Sequence, residues 1–266
     1  MSAETLQPVE LPNEHTVNSI GPVPSVTNAR EARKVTGRVL HVINGEHYSG
    51  AERVQDLLGQ HLPTFGYEAA FACVKPGRFA DRRQDQSSTI YDVPMRSRVD
   101  IRVARELSDI IQKENFALVH AHTPRSAMVG RLAAWFANVP MIYHVHSPTS
   151  HDTTHGWRNR TNDWMERASL YKAARLITVS NSLGRHMRLR GYDPDLISVV
   201  PNGVPTSTRR RDLARPTGTW HVGTVALFRP RKGLEVLLES LALMKQRGVS
   251  VRLRAVGPFE TPDYEA

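Results

Sequence analysis

The chain has 266 residues, of which 40% are hydrophobic, and this length can bury the core of one large or two modest domains. Its formal net charge is +9, but the arginines lie in separate clusters without interleaved aromatic residues, which argues against a nucleic-acid partner. A single cysteine, Cys73, excludes an internal disulfide and a zinc site built from cysteines.

Strands and helices are predicted to alternate along most of the chain. Residues 1–34 contain several prolines and few large apolar residues, which predicts a disordered tail. Short apolar runs then predict strands at 39–43, 69–74, 89–93, 118–121, 141–145, 176–179 and 197–200. Helical spacing of apolar residues predicts helices from about residue 51 and at 101–113, 126–137, 163–174 and 181–190. This alternation predicts an α/β domain over residues 35–205, a Rossmann-like doubly wound parallel sheet with helices on both faces.

A second α/β unit is predicted to begin after a linker. Residues 206–218 are polar and charged, which is typical of a linker. Residues 219–266 then contain a predicted strand at 222–227, a basic loop, a helix and a strand at 251–256. Because roughly one and a half βα units are too few for an independent doubly wound domain, we expect a C-terminally truncated sequence with only a partial second domain.

The basic loop of this second unit has the features of an anion site. Arg229, Arg231 and Lys232 follow the predicted strand, and a helix opens at Leu234 after Gly233. The first N–H groups of a helix and the positive end of its dipole attract phosphate, and the cationic side chains add charge-assisted hydrogen bonds. An ordinary turn with solvated cations would show the same local pattern.

Further candidates follow the strands of the first domain, where ligands of parallel sheets bind. Gly45, Ser49 and Gly50 belong to a loop after the first strand, and glycine lets a backbone approach a ligand closely. The other candidates are the histidines at the ends of two later strands, His120, His122, His144 and His146.

The histidines also allow a metal-dependent hydrolase as an alternative interpretation. Imidazole is the commonest zinc ligand, and a His-x-His pattern on a strand places both rings on one face; His151 and His155 add to the local density. A metallohydrolase would add acidic ligands, but Asp152 is the only acidic residue between Glu114 and Asp163. We therefore expect no metal ion and no other cofactor.

Six segments occur together in an order and spacing typical of one enzyme family. They are residues 37–54, 118–122, 140–147, 177–182, 200–204 and 227–233, the last reading Leu-Phe-Arg-Pro-Arg-Lys-Gly. In this order they resemble the family 4 glycosyltransferases, enzymes of the GT-B fold. The resemblance implies a retaining enzyme that moves a sugar from a nucleotide-sugar donor to a hydroxyl of a glycan or lipid-linked acceptor, in glycolipid, cell-envelope or exopolysaccharide synthesis.

The resemblance also implies roles for individual residues. His146 corresponds to the family's histidine on the cleft floor, near the transferred sugar, and is the candidate catalytic residue. The remaining roles are donor-phosphate binding by Arg229 and Lys232, a glycine-rich loop with Gly45, Ser49 and Gly50, and cleft or hinge positions at Ser180, Asn202 and Gly203.

The chain departs from the family pattern at three points. Leu227 stands where an arginine is commoner, Ser49 replaces a glycine, and the later Glu-x7-Glu segment of the family is absent. We therefore expect little turnover from this chain by itself. A different class of function also stays open, namely a non-catalytic GT-B half that acts as a binding module.

The sequence also predicts a compartment. No secretory leader pattern and no apolar run of roughly 20 residues is present, and the single cysteine is typical of a reducing environment. We expect a soluble, cytoplasmic protein. The positive charge is interpreted as attraction to phosphorylated substrates, as peripheral contact with anionic lipid at the inner face of the membrane, or as general solvation.

Overall fold

The computed structural model describes residues 35–97, 100–147, 167–168, 170–205 and 218–265, without the side chain of Arg231. The chain divides into two compact units, Met1–Val204 and Pro205–Ala266. The predicted tail and nearly all of the predicted linker lie outside the described residues.

The first unit is built on a parallel sheet that has seven strands in the described part of the chain. These strands are β1 (Gly37–Ile43), β2 (Tyr67–Cys73), β3 (Thr89–Asp92), β4 (Leu118–Ala121), β5 (Met141–Val145), β6 (Arg175–Thr178) and β7 (Ile197–Val199). Their spatial order is β3-β2-β1-β4-β5-β6-β7, and every neighbouring pair is parallel. The chain therefore winds outward from β1 in one direction and then from β4 in the other, which confirms the predicted doubly wound, Rossmann-like sheet.

The described helices of the first unit connect these strands. They are α1 (Gly50–His61), α2 (Arg78–Arg82), α3 (Ile101–Lys113), α4 (Pro124–Ala137) and α5 (Asn181–Leu189), with 3₁₀ turns at Leu62–Phe65 and Pro194–Leu196. Side chains cap three of the helices at their N-termini: Asp100, Thr123 and Ser180 each accept a hydrogen bond from a backbone N–H in the first turn. Such caps satisfy donors that a helix leaves open and define where it begins.

The central strands are buried on both faces because helices cover the sheet on both sides. The run Val39–Ile43 of β1 is fully buried, as is the end of β2 from Ala69 to Cys73. From α3, Val103, Leu107 and Ile111 enter the same core at helical spacing. These continuously buried runs, which are apolar apart from His41, are the pattern expected of parallel strands with two covered faces.

The predicted elements lie close to the observed ones, with one clear error. The predicted helix 163–174 lies largely outside the described residues, but its C-terminal part is wrong, because Tyr171 and Lys172 form a turn in which Lys172 has a φ of 58°. The short helix α2 was not predicted, since five residues are too few to show a helical period.

The second unit is much smaller. It contains β8 (Trp220–Val225), a 3₁₀ turn (Pro230–Lys232), α6 (Leu234–Gln246), β9 (Val251–Val256) and α7 (Pro262–Glu265). β8 and β9 form a two-stranded parallel sheet, with Trp220 opposite Val251 and Val225 opposite Val256. Phe228 is the one large apolar residue that is fully buried among the described residues of this unit.

None of the described helices in either unit combines the length and the apolar character needed to cross a bilayer.

Candidate active site

One edge of the first unit's sheet collects most of the predicted site residues. Because all its strands are parallel, the loops that follow them leave the sheet at the same edge. The point where the winding reverses lies between β1 and β4, which is where ligands of doubly wound sheets bind. The residues that follow strands at this edge are Gly45, Ser49 and Gly50 after β1, His122 after β4, His146 after β5, Ser180 after β6, and Asn202 and Gly203 after β7.

Five histidines in or directly after β1, β4 and β5 form a cluster of neighbouring rings near this edge. The ring centroids of His120 and His122 are 4.1 Å apart, and those of His144 and His146 are 4.3 Å apart. Each His-x-His pair therefore has both rings on one face, as predicted. The fifth ring belongs to His41, which lies opposite His120 in the β1–β4 register, with a centroid separation of 4.9 Å.

A line of ring nitrogens runs through three of these histidines. His41 Nδ1 lies 3.0 Å from His122 Nε2, and His122 Nδ1 lies 3.3 Å from His146 Nε2. In each pair one nitrogen donates and the other accepts, so the tautomers of the three rings are coupled. His146, the least buried of the three, is the end of this line nearest to solvent.

Burial keeps the imidazoles of the cluster neutral. It lowers the pKa of His41 and of His144 to about 3 and the pKa of His146 to about 4. The pKa values of His120 and His122 are also far below the usual range, first because of burial and then because of the neighbouring histidines. The negative charge of the Glu52 carboxylate acts in the opposite direction and raises the pKa of His146, but burial has the larger effect. At neutral pH, His146 is therefore an acceptor or a single donor, but not a cation.

The loop after β1 is held in a conformation that favours glycine. Gly45 has a φ of +88°, and a Cβ at this position would come within 2.8 Å of the Cys73 sulfur. Burial raises the pKa of the Cys73 thiol to about 12, so Cys73 is a packing residue rather than a reactive one. A hydrogen bond of 3.0 Å from Thr123 Oγ1 to Asn44 Oδ1 joins this loop to the end of β4.

Ser49 and Gly50 have different surroundings at the start of α1. The hydroxyl and backbone N–H of Ser49 both donate to the Glu52 carboxylate, at 2.7 and 3.1 Å. The Ser49 side chain is thus engaged at the helix N-terminus, whereas Gly50 is exposed with open space beside its Cα. The loop therefore presents an accessible backbone at Gly50.

The predicted cleft residues divide into one structured and two exposed positions. Ser180 caps α5 by accepting a hydrogen bond of 3.2 Å from the Leu183 N–H. Asn202 and Gly203 are exposed and lie in irregular structure after β7, near the end of the first unit. In the part of the chain that the structure describes, the backbone of these two residues belongs to neither a strand nor a helix.

The predicted donor-phosphate residues belong to the second unit. Arg229 Nη1 forms an ion pair of 2.9 Å with Glu260 Oε1, so its guanidinium already has a carboxylate partner. Lys232 is exposed and has no ion pair among the described residues. Gly233 has a φ of +68° and opens α6 without a capping side chain. The loop thus combines one exposed cation with an uncapped helix N-terminus.

Two residues at the first unit's site were missed by the sequence interpretation. His41 was read only as part of an apolar strand, although an imidazole inside Val-Leu-His-Val-Ile was a visible signal. Glu52 lies in the helix predicted from about residue 51 and received no role there, but it is buried and acts on the pKa of His146.

Among the described residues, which do not include His151, Asp152 and His155, two groups of three histidines have nitrogen atoms close enough together to hold a metal ion. They are His41, His120 and His122, and His122, His144 and His146; in each group the ligand atoms lie within 4.8 Å of one another.

Comparison with known proteins identifies the family. The model of Glycosyltransferase Family 4 matches residues 48–208, which is more than half of the chain. The chain belongs to this family. The match runs from Tyr48, just before α1, to beyond β7 and confirms the family resemblance, whereas the segment 227–233 lies outside it.

Two curated relatives match over similar lengths. The UDP-Gal:alpha-D-GlcNAc-diphosphoundecaprenol alpha-1,3-galactosyltransferase of Escherichia coli is 28% identical over 174 residues, which are 63% of this chain and 45% of the relative. The D-inositol 3-phosphate glycosyltransferase of Corynebacterium glutamicum is 27% identical over 175 residues, covering 57% of this chain and 42% of the relative. The chain thus matches less than half the length of these relatives.

A solved structure supports the fold class. Anabaena HepE in complex with UDP-glucose superposes with a TM-score of 0.68 at 18% identity, covering 86% of this chain and 63% of HepE. This likeness confirms a GT-B-type α/β fold.

Proposed function

We propose that the protein is a glycosyltransferase that moves a sugar from a nucleotide-sugar donor to a hydroxyl acceptor. The observation that carries this proposal is the family match over residues 48–208, which includes His146 and the loop around Gly50. Two comparisons support a nucleotide-sugar donor: the E. coli relative is named for UDP-Gal, and HepE was solved with UDP-glucose.

In this proposal the second unit binds the donor diphosphate. Lys232 and the uncapped N-terminus of α6 supply positive charge where the leaving nucleoside diphosphate develops negative charge. Arg229 joins them by exchanging Glu260 for a phosphate oxygen, which replaces one charge-assisted hydrogen bond with another. With this charge supplied by the protein, we propose that the transfer itself needs no metal cofactor.

The first unit contributes His146 and the acceptor side of the reaction. A neutral imidazole can accept a hydrogen bond from a sugar hydroxyl, and the low pKa of His146 keeps it in that form. The contact with His122 fixes the ring orientation, since His122 Nδ1 lies 3.3 Å from His146 Nε2. We propose His146 as the catalytic residue, with Ser180, Asn202 and Gly203 at the border of the site.

The stereochemistry of the transfer and the pathway are the next part of the proposal. We propose retention at the anomeric carbon and a glycan or lipid-linked acceptor in glycolipid, cell-envelope or exopolysaccharide synthesis. The name of the E. coli relative, which includes a diphosphoundecaprenol acceptor, supports a lipid-linked acceptor. We also propose a cytoplasmic protein with peripheral contact at an anionic membrane, which the net charge of +9 and the exposed Trp135 and Phe136 on α4 support.

The first test is a titration of this chain with UDP, GDP and ADP. We expect binding of one nucleoside diphosphate, weakened about tenfold by Lys232→Ala. Lys245→Ala is the matched control, because Lys245 is an exposed lysine in the last turn of α6, at the opposite end of that helix from Lys232. Equal affinity of the wild type and Lys232→Ala, or no binding of any of the three, would refute the proposed donor site.

The second test measures sugar transfer by the complete protein with each nucleotide-sugar and a lipid-linked acceptor. We expect a product with the donor's anomeric configuration, assigned by NMR coupling constants. Nucleotide binding without turnover would instead support a binding module. An inverted product would contradict the proposed stereochemistry.

A further inference from the structure

The histidine cluster contains more buried nitrogen atoms than its hydrogen bonds satisfy. Four ring nitrogens, His41 Nε2, His120 Nε2 and both nitrogens of His144, have no hydrogen-bond partner among the described residues. His144 is only 5% exposed. Buried polar atoms are nearly always paired, so an unpaired one needs an explanation, such as a bound water or ion. His144 is therefore the residue at which a ligand is most clearly lacking.

The outer group of three histidines has spacings that a metal ion can bridge. Nitrogen atoms of His122, His144 and His146 lie within 4.8 Å of one another, and His122 Nδ1 is 3.3 Å from His146 Nε2. Two imidazole ligands of a tetrahedral zinc ion, each about 2.0–2.1 Å from the metal, are separated by about 3.3–3.4 Å. This pair is thus already at the required separation, and the His144 nitrogen lies within 4.8 Å of both.

The next residue inward provides the support that metal-binding histidines usually have. A ligating imidazole normally donates its other N–H to an acceptor, which fixes the tautomer and the ring orientation. When His122 binds a metal through Nδ1, its Nε2–H points to His41 Nδ1 at 3.0 Å. His41 is then a positioning residue, and its own Nε2 carries the proton.

We propose that His122, His144 and His146 form a binding site for a divalent transition-metal ion of the Zn²⁺ class. Three neutral imidazoles without a carboxylate select Zn²⁺, Co²⁺ or Ni²⁺ over Mg²⁺ and Ca²⁺, which prefer oxygen ligands. Water completes the coordination. The outer group is favoured over His41, His120 and His122 because His146 is partly exposed, whereas all three histidines of the inner group are buried.

This inference departs from the sequence-based expectation of no metal. That expectation rested on the lack of acidic residues, which a hydrolase needs but a three-histidine binding site does not. An ion on His146 Nε2 leaves the proton on Nδ1, so the ion-bound ring cannot accept a hydrogen bond from a sugar hydroxyl. The ion-bound form and the transferring form therefore exclude each other, and no step of sugar transfer is assigned to the ion. A failed metal test therefore leaves the proposed transferase function standing, and the nucleotide titration does not depend on the metal.

The test is a titration of the chelator-treated chain with Co²⁺ at pH 7.5, followed by absorption in the visible range. We expect ligand-field bands that saturate at one equivalent and disappear when Zn²⁺ is added, together with a rise in Tm on Zn²⁺ binding. His144→Gln and His146→Gln are expected to abolish the bands. His41→Gln is expected to weaken binding roughly tenfold or more, because it removes the support of His122.

Two controls identify the site. His120→Gln removes a ligand of the inner group only, and His47→Gln removes an exposed histidine near the same edge. Both variants are expected to bind one equivalent of Co²⁺. Far-UV circular dichroism establishes whether each variant is folded. If His144→Gln unfolds, His146→Gln decides the test, because His146 is partly exposed and its substitution disturbs the core less. The proposal is overturned by a folded wild type without bands, by bands that persist in His146→Gln, or by bands lost in His120→Gln but kept in His146→Gln.

Discussion

The two units share a local pattern but differ in how much of it is buried. Each contains parallel strands connected through a helix, yet the first unit covers its strands on both faces whereas the second exposes much of its apolar surface. Val225 and Val236 of the second unit are 82% and 65% exposed. Hydrophobic periodicity therefore suffices to predict a strand or a helix, but burial requires neighbouring elements that only the larger sheet supplies.

The two predicted sites differ in the same way. The first unit's site consists of buried, neutral imidazoles, so the stability of this unit depends on pH. The second unit's site consists of an exposed lysine and an ion-paired arginine, so its behaviour depends on salt and on competing anions. These contrasts lead to four predictions.

The largest expected difference concerns backbone opening. Amide hydrogens of β1 and β4 are expected to exchange at least about 10³-fold more slowly than those of β8 and β9, because a two-stranded sheet with little buried surface opens at low free energy. Hydrogen exchange followed by mass spectrometry measures both regions in one sample. Equal protection in the two units would show that the second unit has stability that its described contacts do not explain.

The catalytic assignment predicts a large effect on rate. In the complete protein, His146→Ala is expected to lower kcat by roughly 10²–10⁴ while changing nucleotide affinity little, because the residue lies in the first unit and not in the donor-phosphate loop. His144→Ala is the matched control: His144 lies deeper on the same strand, so its loss is expected to lower Tm more than the rate. Measured in chelated buffer, a His146→Ala variant with a normal kcat and a low Tm would reduce His146 to a core residue.

Acid is expected to destabilise the first unit selectively. The pKa values of the buried histidines are lowered in the folded state, so the unfolded chain binds more protons as the pH falls below about 6.5. The free energy of unfolding is therefore full above pH 6.5 and falls toward pH 3–4, by roughly a few kcal/mol for each histidine. Urea titrations between pH 8 and 4 measure this loss. His144→Phe, which removes one of these groups, is expected to flatten the pH dependence.

The smallest expected effect concerns the arginine of the second unit. Arg229→Ala is expected to weaken nucleoside-diphosphate affinity about tenfold, because one charge-assisted contact is lost. Glu260→Ala removes the competing carboxylate and is expected to leave affinity equal or higher. Calorimetry at two salt concentrations separates the two variants. Weaker binding by Glu260→Ala would mean that the ion pair holds the loop in its binding conformation; Arg231→Ala is expected to have less effect than Arg229→Ala.

The sequence by itself determined the local elements and the family. Strands such as Met141–Val145 and Leu118–Ala121 and the helix Ile101–Lys113 have the predicted bounds, because short apolar runs and a 3.6-residue period are local signals. The six segments that resembled family 4 glycosyltransferases were sufficient to predict the family. His146 was placed at a strand end by the same local reasoning.

Tertiary structure alone decided which side chains meet. His41 joins the cluster because β1 pairs with β4 in a register that sets it opposite His120, and no local pattern encodes the register of two strands 80 or so residues apart. The fold also brings together residues that are far apart in the sequence: Glu52 acts on the pKa of His146, and Arg229 pairs with Glu260. The unpaired nitrogens of His144 and the low pKa values follow from burial, which depends on the packing of the whole sheet and is invisible in any single segment.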